Sequence, residues 1–210
     1  MNIKYKTEQE SFWAGEFGRE YIRRNQGGEM LASNLKFFSN ALRSTYGFKS
    51  AIEFGANIGM NIKALKLLYP LVDLNAIEIN PIAANKLQSL IPLSNIHNES
   101  ILEFNPPKTY DLALIKGVLI HINPGALEVV YEKLVSSTNR YLLVAEYYNP
   151  TPVSVPYRGH QDRLFKRDFA GEIMDRHPSM KLLDYGFSYS RDLDFPQDDI
   201  TWFLMCKEKK

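Results

Sequence analysis

The chain has 210 residues, 45% of them hydrophobic and 23% charged, which is an ordinary composition for a globular protein. Its formal net charge of +1 provides no strong field for a polyanion, so nucleic acids and anionic membranes are disfavoured as main partners. Cys206 is the single cysteine, which excludes an internal disulfide and a thiolate metal cluster. No stretch approaches the roughly 18 apolar residues of a membrane span, and no cationic start is followed by an apolar run. We therefore expect a cytoplasmic protein that forms a single domain over residues 1–210.

Residues 1–45 are predicted to form a helical cap or lid. Thr7 and Glu10 have the spacing of a capping box at the start of a helix. Gly15 and Gly18 follow, at about 1 kcal/mol each relative to alanine, so the helix should bend or break there. The segment also carries a set of aromatic side chains, namely Phe12, Trp13, Phe17 and Tyr21. These side chains either pack on the domain or close over a ligand.

The stretch 51–80 organises the rest of the chain. A short apolar strand leads into Glu53-x-Gly55-x-Asn57-x-Gly59, a glycine-punctuated turn that enters a helix. Glycines at such a turn let a ligand approach bare backbone, and the helix start offers unpaired N–H groups. A second strand ends at Glu78, which places a carboxylate beside the same crevice, where a βαβ nucleotide site grips ribose hydroxyls.

Strands and helices alternate from Ser50 onwards, which predicts a parallel sheet with right-handed crossovers. Strands are expected at 50–54, 73–79, 94–98, 110–116 and 140–147. Helices are expected at 29–45, 58–69, 81–91 and 124–137, with Pro81 and Pro124 in first turns. The final strands, at 181–189 and 200–206, have only a loop between them and should form an antiparallel hairpin.

Two kinds of ligand fit this arrangement of strand, turn and helix. A dinucleotide site requires G-x-G-x-x-G, whose pyrophosphate sits on the helix N-terminus. Glu53 would repel a pyrophosphate, whereas it suits an ammonium or sulfonium group. A nucleotide-binding oxidoreductase is therefore one alternative function, which this pattern disfavours. A non-catalytic binding module is a second alternative.

The pattern Glu53-x-Gly55-x-Asn57-x-Gly59 resembles motif I of the class I S-adenosylmethionine (AdoMet) methyltransferases, with Asn57 in place of the middle glycine. The resemblance covers about residues 45–206. It implies an α/β, Rossmann-like fold with a mostly parallel seven-stranded sheet, an antiparallel C-terminal hairpin and helices on both faces. It also implies AdoMet as cofactor.

The resemblance assigns cofactor contacts strand by strand. Those to the methionine part are Glu53, Gly55, Ala56, Asn57 and Gly59. Glu78 would bind the ribose and Ile79 the adenine, with Glu99 and Ser100 at the adenine edge. Backbone at Lys116 and Gly117 would pass the cofactor. Independently of the resemblance, an aromatic face such as that of Tyr21 or Tyr147 is expected to attract the sulfonium.

The segment 147–165 reads as a long, proline-stiffened loop that binds the acceptor. Its predicted substrate residues are Tyr147, Tyr157, Arg158, His160 and Arg163. The arginines suit an anionic acceptor, because a guanidinium matches a carboxylate bidentately, although they could instead pair with nearby aspartates. His160 is the preferred general base and His121 the second candidate, with a merely stabilising role as the alternative for His121. His97 and His177 lack partners at ligand spacing, so no metal site is predicted.

Two further stretches resemble the methyltransferases associated with pseudaminic acid biosynthesis. They are Phe12-Trp13-x-Gly15-x-Phe17-Gly18, and Tyr157-Arg158-Gly159-His160 with Lys166-Arg167-Asp168-Phe169-Ala170. This resemblance implies methyl transfer to an O or N atom of an acidic sugar or its precursor. A nucleotide-linked sugar, a free sugar and an unrelated small metabolite all remain open, as does the oligomeric state.

Overall fold

The computed structural model describes residues 5–24 and 27–208. The parts of the predicted cap at 1–4 and 25–26 lie outside these described residues, as does the C-terminal pair 209–210.

Three helices precede the sheet, and the first two meet at the predicted break. They are α1 (Glu8–Ala14), α2 (Glu16–Arg24) and α3 (Gly28–Ala41). The capping box is confirmed, because the Thr7 hydroxyl accepts from the Glu10 N–H while the Glu10 carboxylate accepts from the Thr7 N–H at 2.7 Å. The break is also confirmed, with Gly15 standing between α1 and α2.

A seven-stranded sheet forms the centre of the fold, in the order β3-β2-β1-β4-β5-β9-β8. Its strands are β1 (Ser50–Phe54), β2 (Asp73–Ile77), β3 (Ile96–His97), β4 (Tyr110–Lys116), β5 (Thr138–Glu146), β8 (Met180–Ser188) and β9 (Ile200–Lys207). The pairs among the first five strands are parallel, whereas β9 runs antiparallel to β5 and to β8. The fold prediction is therefore confirmed.

Helices cover both faces of the sheet. The remaining ones are α4 (Met60–Leu68), α5 (Pro81–Leu87), α6 (Leu127–Ser137) and α7 (Phe169–Arg176). Residues of α3, α4 and α5 share one buried apolar cluster with the sheet, and residues of α6 and α7 share the other. Asn80 caps α5 by accepting the Ile82 N–H at 3.0 Å, so the proline after it stands in the first turn as predicted.

The segment 147–165 is not a long loop, and that prediction is wrong. It contains β6 (Val153–Tyr157) and β7 (His160–Lys166), an antiparallel hairpin that forms a separate two-stranded sheet. The two turn residues, Arg158 and Gly159, have φ angles of 49° and 83°, the left-handed values that a type I′ hairpin turn requires. Pro156, the one proline within these two strands, is tolerated because an isolated two-stranded sheet has only edge strands.

Several boundaries differ modestly from the expected ones. The strand expected at 94–98 is reduced to β3, because Leu93–Asn95 forms a 3-10 turn. The helix expected at 124–137 begins with a 3-10 turn over Pro124–Ala126 before α6. Asn123 caps that turn by accepting the Gly125 N–H at 2.9 Å.

Candidate functional site

A cavity of about 530 Å³ lies beside the carboxyl ends of β1, β2 and β4, where α/β sheets bind their ligands. The predicted cofactor residues that line it are Tyr21, Gly55, Ala56, Asn57, Glu78, Ile79, Ser100, Lys116 and Gly117. Glu53, Gly59 and Glu99 lie outside its lining. Of the predicted catalytic and acceptor residues, His121 lines the cavity, whereas Tyr147, Tyr157, Arg158, His160 and Arg163 do not.

The turn after β1 has the conformation that its sequence pattern requires. Gly55 has a φ of +80°, and a Cβ atom there would lie 2.7 Å from a methyl carbon of Val118. Asn57 has a φ of 49°, and asparagine is among the few residues other than glycine that tolerate this left-handed region. Asn57 can therefore replace the middle glycine of the motif without changing the path of the backbone.

Glu78 joins the end of β2 to this turn. Its carboxylate accepts the N–H of Asn57 and the N–H of Asn80, each at 2.7 Å. The side chain is only 7% exposed, and burial raises the pKa of Glu78 to about 7 against these donors. Glu78 is thus a structural acceptor as well as a polar group in the cavity wall.

Glu53 lies directly behind the wall and is 1% exposed. Asn61 donates its side-chain amide to one carboxylate oxygen at 2.6 Å, whereas the other oxygen has no hydrogen-bond partner. Burial raises the pKa of Glu53 to about 7, while Asn61 and the charge of Lys116 oppose that shift. A buried carboxylate oxygen without a donor suits a cationic group placed beside it.

Lys116 is the sole lysine or arginine among the described residues that line the cavity. Burial lowers the pKa of its ammonium, and the charges of Glu53, Asp198 and Glu146 oppose this effect. The ammonium also lies 5.2 Å from the ring centroid of Phe37.

The turn after β4 is held by Glu146, a buried residue at the end of β5. Its carboxylate accepts the N–H groups of Val118 and Leu119 at 2.9 Å each, and that of Ile120 at 3.4 Å. These donors begin the 3-10 turn Leu119–His121, so Glu146 fixes the backbone on which His121 is presented. Sequence reasoning missed Glu146, although an acid at the end of a buried strand was a visible signal.

His121 is the histidine that lies in the cavity. Its Nδ1 atom lies 2.5 Å from the carbonyl oxygen of Arg163. Because a carbonyl only accepts, Nδ1 carries the proton and Nε2 keeps its lone pair. Burial lowers the pKa of His121 to about 4, so the ring is neutral near pH 7. Its centroid lies 4.7 Å from the ring of Trp13 and 4.9 Å from that of Tyr157.

Helix α1 forms part of the cavity wall through Gln9, Glu10 and Trp13. The Ser100 hydroxyl donates to the Glu10 carboxylate in a short hydrogen bond. Ser100 lines the cavity but Glu99 does not. The carboxylate beside Ser100 in the cavity wall is therefore that of Glu10 in α1 and not that of Glu99, which follows β3. Sequence reasoning missed Glu10 because the two residues lie 90 positions apart.

The predicted acceptor residues fall into two groups. Tyr147 shares a hydrogen bond with Asp198, which lines the cavity, and lies near Tyr21 and Tyr157. Arg158 belongs with them, because it hydrogen-bonds Tyr157.

His160 and Arg163 form the second group, whose side chains contact α1. The exposed His160 ring lies 5.0 Å from that of Phe12. Arg163 forms an ion pair with Glu8 at 3.0 Å. The two groups adjoin, because His160 stands opposite Tyr157 across the hairpin and the Phe17 ring lies 5.9 Å from each of their rings.

Part of the cavity wall was not predicted at all. It comes from α3 and from the loop between β8 and β9, through Met30, Ser33, Asn34, Ser190, Pro196, Gln197 and Asp198. Gln197 donates to the side-chain oxygen of Asn34 at 2.9 Å, which ties the loop to the helix. The length of that hairpin loop was the signal, since long loops in compact folds are often functional.

Solved structures of methyltransferases share this architecture at low sequence identity. A plantazolicin methyltransferase, BpumL, in complex with SAH is 14% identical and gives a TM-score of 0.66, with 96% of this chain and 94% of that chain covered. A SAM-dependent methyltransferase from Leishmania major is 15% identical with a TM-score of 0.68, covering 97% and 87% of the two chains. Magnesium protoporphyrin IX methyltransferase from Synechocystis with bound SAM is 12% identical with a TM-score of 0.65, covering 98% and 100%.

The fold is that of the class I methyltransferases. Identities of 10–15% establish the fold and leave the substrate open. No protein-family model and no curated protein sequence matches the chain.

Two general properties of the described residues concern metal binding and membrane insertion. Within 5–24 and 27–208, no group of three or more His, Cys, Asp or Glu side chains is placed to hold a metal ion. None of the helices described is long and apolar enough to cross a membrane.

Proposed function

We propose that this protein is an AdoMet-dependent methyltransferase that acts on a small polar acceptor. The proposal rests on the hydrogen bond from the Asn57 N–H to the Glu78 carboxylate. This bond connects the end of β2 to the Gly55–Asn57 turn at the wall of a cavity large enough for a ligand. Two of the structural neighbours were solved with SAH or SAM, which supports the same cofactor here.

The residues present fit AdoMet. The unpartnered oxygen of Glu53 would hold the amino group, and Glu78 would hold the ribose hydroxyls with its remaining lone pairs. Glu10 and Ser100 would face the adenine edge, in the place that sequence reasoning gave to Glu99 and Ser100. AdoMet, when bound, supplies an electrophilic methyl group on a sulfonium.

The protein's own contribution is alignment, exclusion of water and removal of a proton. Alignment of reactants can supply several kcal/mol to an in-line displacement. Helices α1 and α2 wall the cavity, in keeping with the predicted lid over residues 1–45. We assign proton removal to Nε2 of His121, since His160, the base favoured by sequence, lies outside the cavity lining.

The acceptor would lie at the end of the cavity near Tyr21, Lys116 and Asp198. An acidic sugar remains the finer prediction and rests on sequence resemblance. Lys116 and Arg158 are cations that such an acceptor could meet, whereas Arg163 is paired with Glu8. The neighbour that acts on plantazolicin and the one that acts on a porphyrin illustrate how varied acceptors are on this fold.

Two experiments test the proposal. Calorimetry should detect SAH and AdoMet binding but no NAD binding; the reverse result would favour the oxidoreductase alternative. A bacterial small-molecule extract, incubated with the protein and AdoMet deuterated on its methyl group, should yield a labelled product by mass spectrometry. SAH binding without any labelled product, across extracts and purified amino and hydroxy sugars, would favour a non-catalytic binding module.

A further inference from the structure

The Lys116 ammonium presents open hydrogen-bond donors to the cavity. Lys116 is the last residue of β4 and lines the cavity wall. Its ammonium donates no hydrogen bond and forms no ion pair to any other described residue, because the carboxylates of Glu53, Asp198 and Glu146 act on it only as distant charges. It is not sealed in the wall either, since it does not belong to the buried polar atoms that lack a partner among the described residues. Such a cation needs an acceptor, which a bound ligand can provide.

The ring of Phe37 holds this ammonium at one side of the cavity. Phe37 belongs to α3 and is 3% exposed, and its ring centroid lies 5.2 Å from Nζ of Lys116. The face of an aromatic ring attracts a cation without taking up its three N–H donors. The lysine head is therefore positioned while its donors stay available.

Glu53 and Lys116 project from neighbouring strands to the same side of the sheet. Strands β1 and β4 pair in parallel, with Glu53 opposite Leu114. Alternate residues of a strand point to one side, so Lys116, two residues after Leu114 and still within β4, points to the side of Glu53. Their charges agree with this placement, because Lys116 lowers the pKa of Glu53 and Glu53 raises the pKa of Lys116, each against the effect of burial. A carboxylate and an ammonium thus lie near each other at the carboxyl edge of the sheet.

The order of the strands matches the order of the chemical groups in AdoMet. Strands β2, β1 and β4 are neighbours in that order, so Glu78 after β2 comes first, Glu53 second and Lys116 third. In AdoMet the ribose is joined, through sulfur and a short carbon chain, to an α-carbon that carries both an ammonium and a carboxylate. With the ribose at Glu78 and the ammonium at Glu53, the carboxylate on the same carbon comes next to Lys116.

The carboxylate of the cofactor requires a cation at this place. Glu53 and Glu78 are 1% and 7% exposed, and in such a desolvated site two carboxylates would repel a third. An ammonium beside Glu53 compensates one of these charges and leaves the ligand's own carboxylate unpaired. Lys116 is the sole lysine or arginine among the described residues that line the cavity, so it is the group that can pair with this carboxylate.

We propose that Lys116 binds the α-carboxylate of the methionine part of AdoMet, so that Glu53 and Lys116 together recognise an amino acid zwitterion. The inference rests on the proposed function and deepens it, because it makes the cavity selective for adenosyl ligands with an α-carboxylate. With Lys116 engaged by the cofactor, Arg158 is the cation that stays available to an anionic acceptor. A carboxylate on the acceptor is the other source of the same chemistry, and calorimetry separates the two sources.

Calorimetry of the wild-type protein with two ligands is the first test. SAH carries the α-carboxylate, whereas decarboxylated SAH, S-adenosyl-3-thiopropylamine, lacks it and keeps the adenosine, the sulfur and the ammonium. SAH should bind roughly 10- to 100-fold more tightly, the scale of a hydrogen bond to a charged group. Equal affinities for the two ligands would overturn the proposal without any substitution in the protein.

Lys116→Met removes the charge and keeps an unbranched apolar side chain beside Phe37. It should weaken SAH binding by the same factor of roughly 10 to 100 and leave the affinity for decarboxylated SAH unchanged, so that the two ligands bind alike. Lys63→Met is the matched control, because Lys63 is an exposed lysine of α4 outside the cavity lining. It should keep the wild-type preference for SAH. The melting temperature of each variant shows whether it is folded.

Two further results would contradict the assignment. A Lys116→Met protein that binds both ligands more weakly by the same factor would show that Lys116 acts through the charge of Glu53 and not on the carboxylate. Unchanged SAH affinity in Lys116→Met would leave the ammonium to a carboxylate of the acceptor. In both cases, as with equal wild-type affinities, AdoMet binding and methyl transfer stand as proposed. A wild-type protein that binds neither ligand would overturn the proposed function, and this inference with it.

Discussion

The Glu78 carboxylate accepts the backbone N–H of Asn57 at 2.7 Å, which couples the end of β2 to the turn after β1. One side chain therefore shapes the motif turn and contributes to the cavity wall. Sequence reasoning gave Glu78 a ligand-binding role alone. The structure adds a structural role, because the side chain is 7% exposed and accepts two backbone N–H groups.

Replacement of Glu78 should therefore affect both cofactor and stability. Glu78→Gln should weaken SAH binding by roughly 1.5–3 kcal/mol, the scale of hydrogen bonds to a charged group. Glu78→Ala should also lower the melting temperature, because two buried N–H groups lose their acceptor. Calorimetry and thermal unfolding provide the two measurements. Glu99→Gln is the control and should leave SAH affinity unchanged, since Glu99 lies outside the cavity lining.

Glu53 should make SAH binding depend on pH. Its pKa is raised to about 7, so the carboxylate ionises as the pH rises from about 6 to about 8. An ammonium group beside it favours the ionised form, so affinity should rise with pH, by at most about tenfold per unit, and level off above the pKa. Glu53→Gln should bind more weakly and flatten this dependence in calorimetry. An unchanged slope would mean that the amino group lies elsewhere.

The Glu53 carboxyl has the opposite effect on the folding stability of the ligand-free protein, which it lowers as the pH rises. A carboxyl whose pKa is higher in the folded than in the unfolded state stabilises the fold at low pH and loses that contribution as the pH rises through about 7. Glu53→Gln should thus reduce the loss of stability between about pH 4.5, the ordinary pKa, and about pH 7, the folded one. Glu78 and Glu146, whose pKa values are also raised by burial, contribute in the same direction and stay in the variant.

Position 18 requires glycine because other atoms lie where a Cβ atom would be. A Cβ atom there would lie 1.9 Å from the carbonyl oxygen of Trp13 and 2.8 Å from the side-chain nitrogen of Asn80. Gly18→Ala should therefore move α2 and lower the free energy of unfolding by about 1–3 kcal/mol, despite alanine's better helix propensity. Gly28→Ala, at the first residue of α3 with no atom within 4 Å, should be neutral or stabilising. Urea unfolding of both variants measures the difference.

The sheet and its turn could be predicted because their signals are local. Apolar runs, the glycines of the first turn, and Asn80 before Pro81 each act within a few residues, and the structure confirms the elements they indicate. The hairpin β6–β7 was missed because the prolines within and before it are typical of a loop, and because its Arg158-Gly159 turn lacks the common Asn-Gly signature.

Contacts between distant segments could not be read in this way. Glu10 meets Ser100 across 90 residues, and no periodicity records that α1 docks there. The same holds for Asn34, which reaches the β8–β9 loop through Gln197. For the same reason sequence could rank the two histidines only by the segment that carries them.

The two histidines can now be separated by experiment. His121→Gln should lower the rate of methyl transfer by about 10²–10⁴-fold, the usual contribution of a general base, with little change in SAH affinity. His160→Gln, the matched control, should stay close to wild type, because its exposed ring packs on Phe12 outside the cavity. The measurement is single-turnover labelling of the acceptor fraction with deuterated AdoMet. Since the pKa of His121 is lowered to about 4, its lone pair is free across neutral pH, and at saturating AdoMet the contribution of His121 to the rate should fall only as the pH approaches that value. A large loss in His160→Gln with His121→Gln active would instead assign the base to His160 and place the acceptor beside the β6–β7 turn.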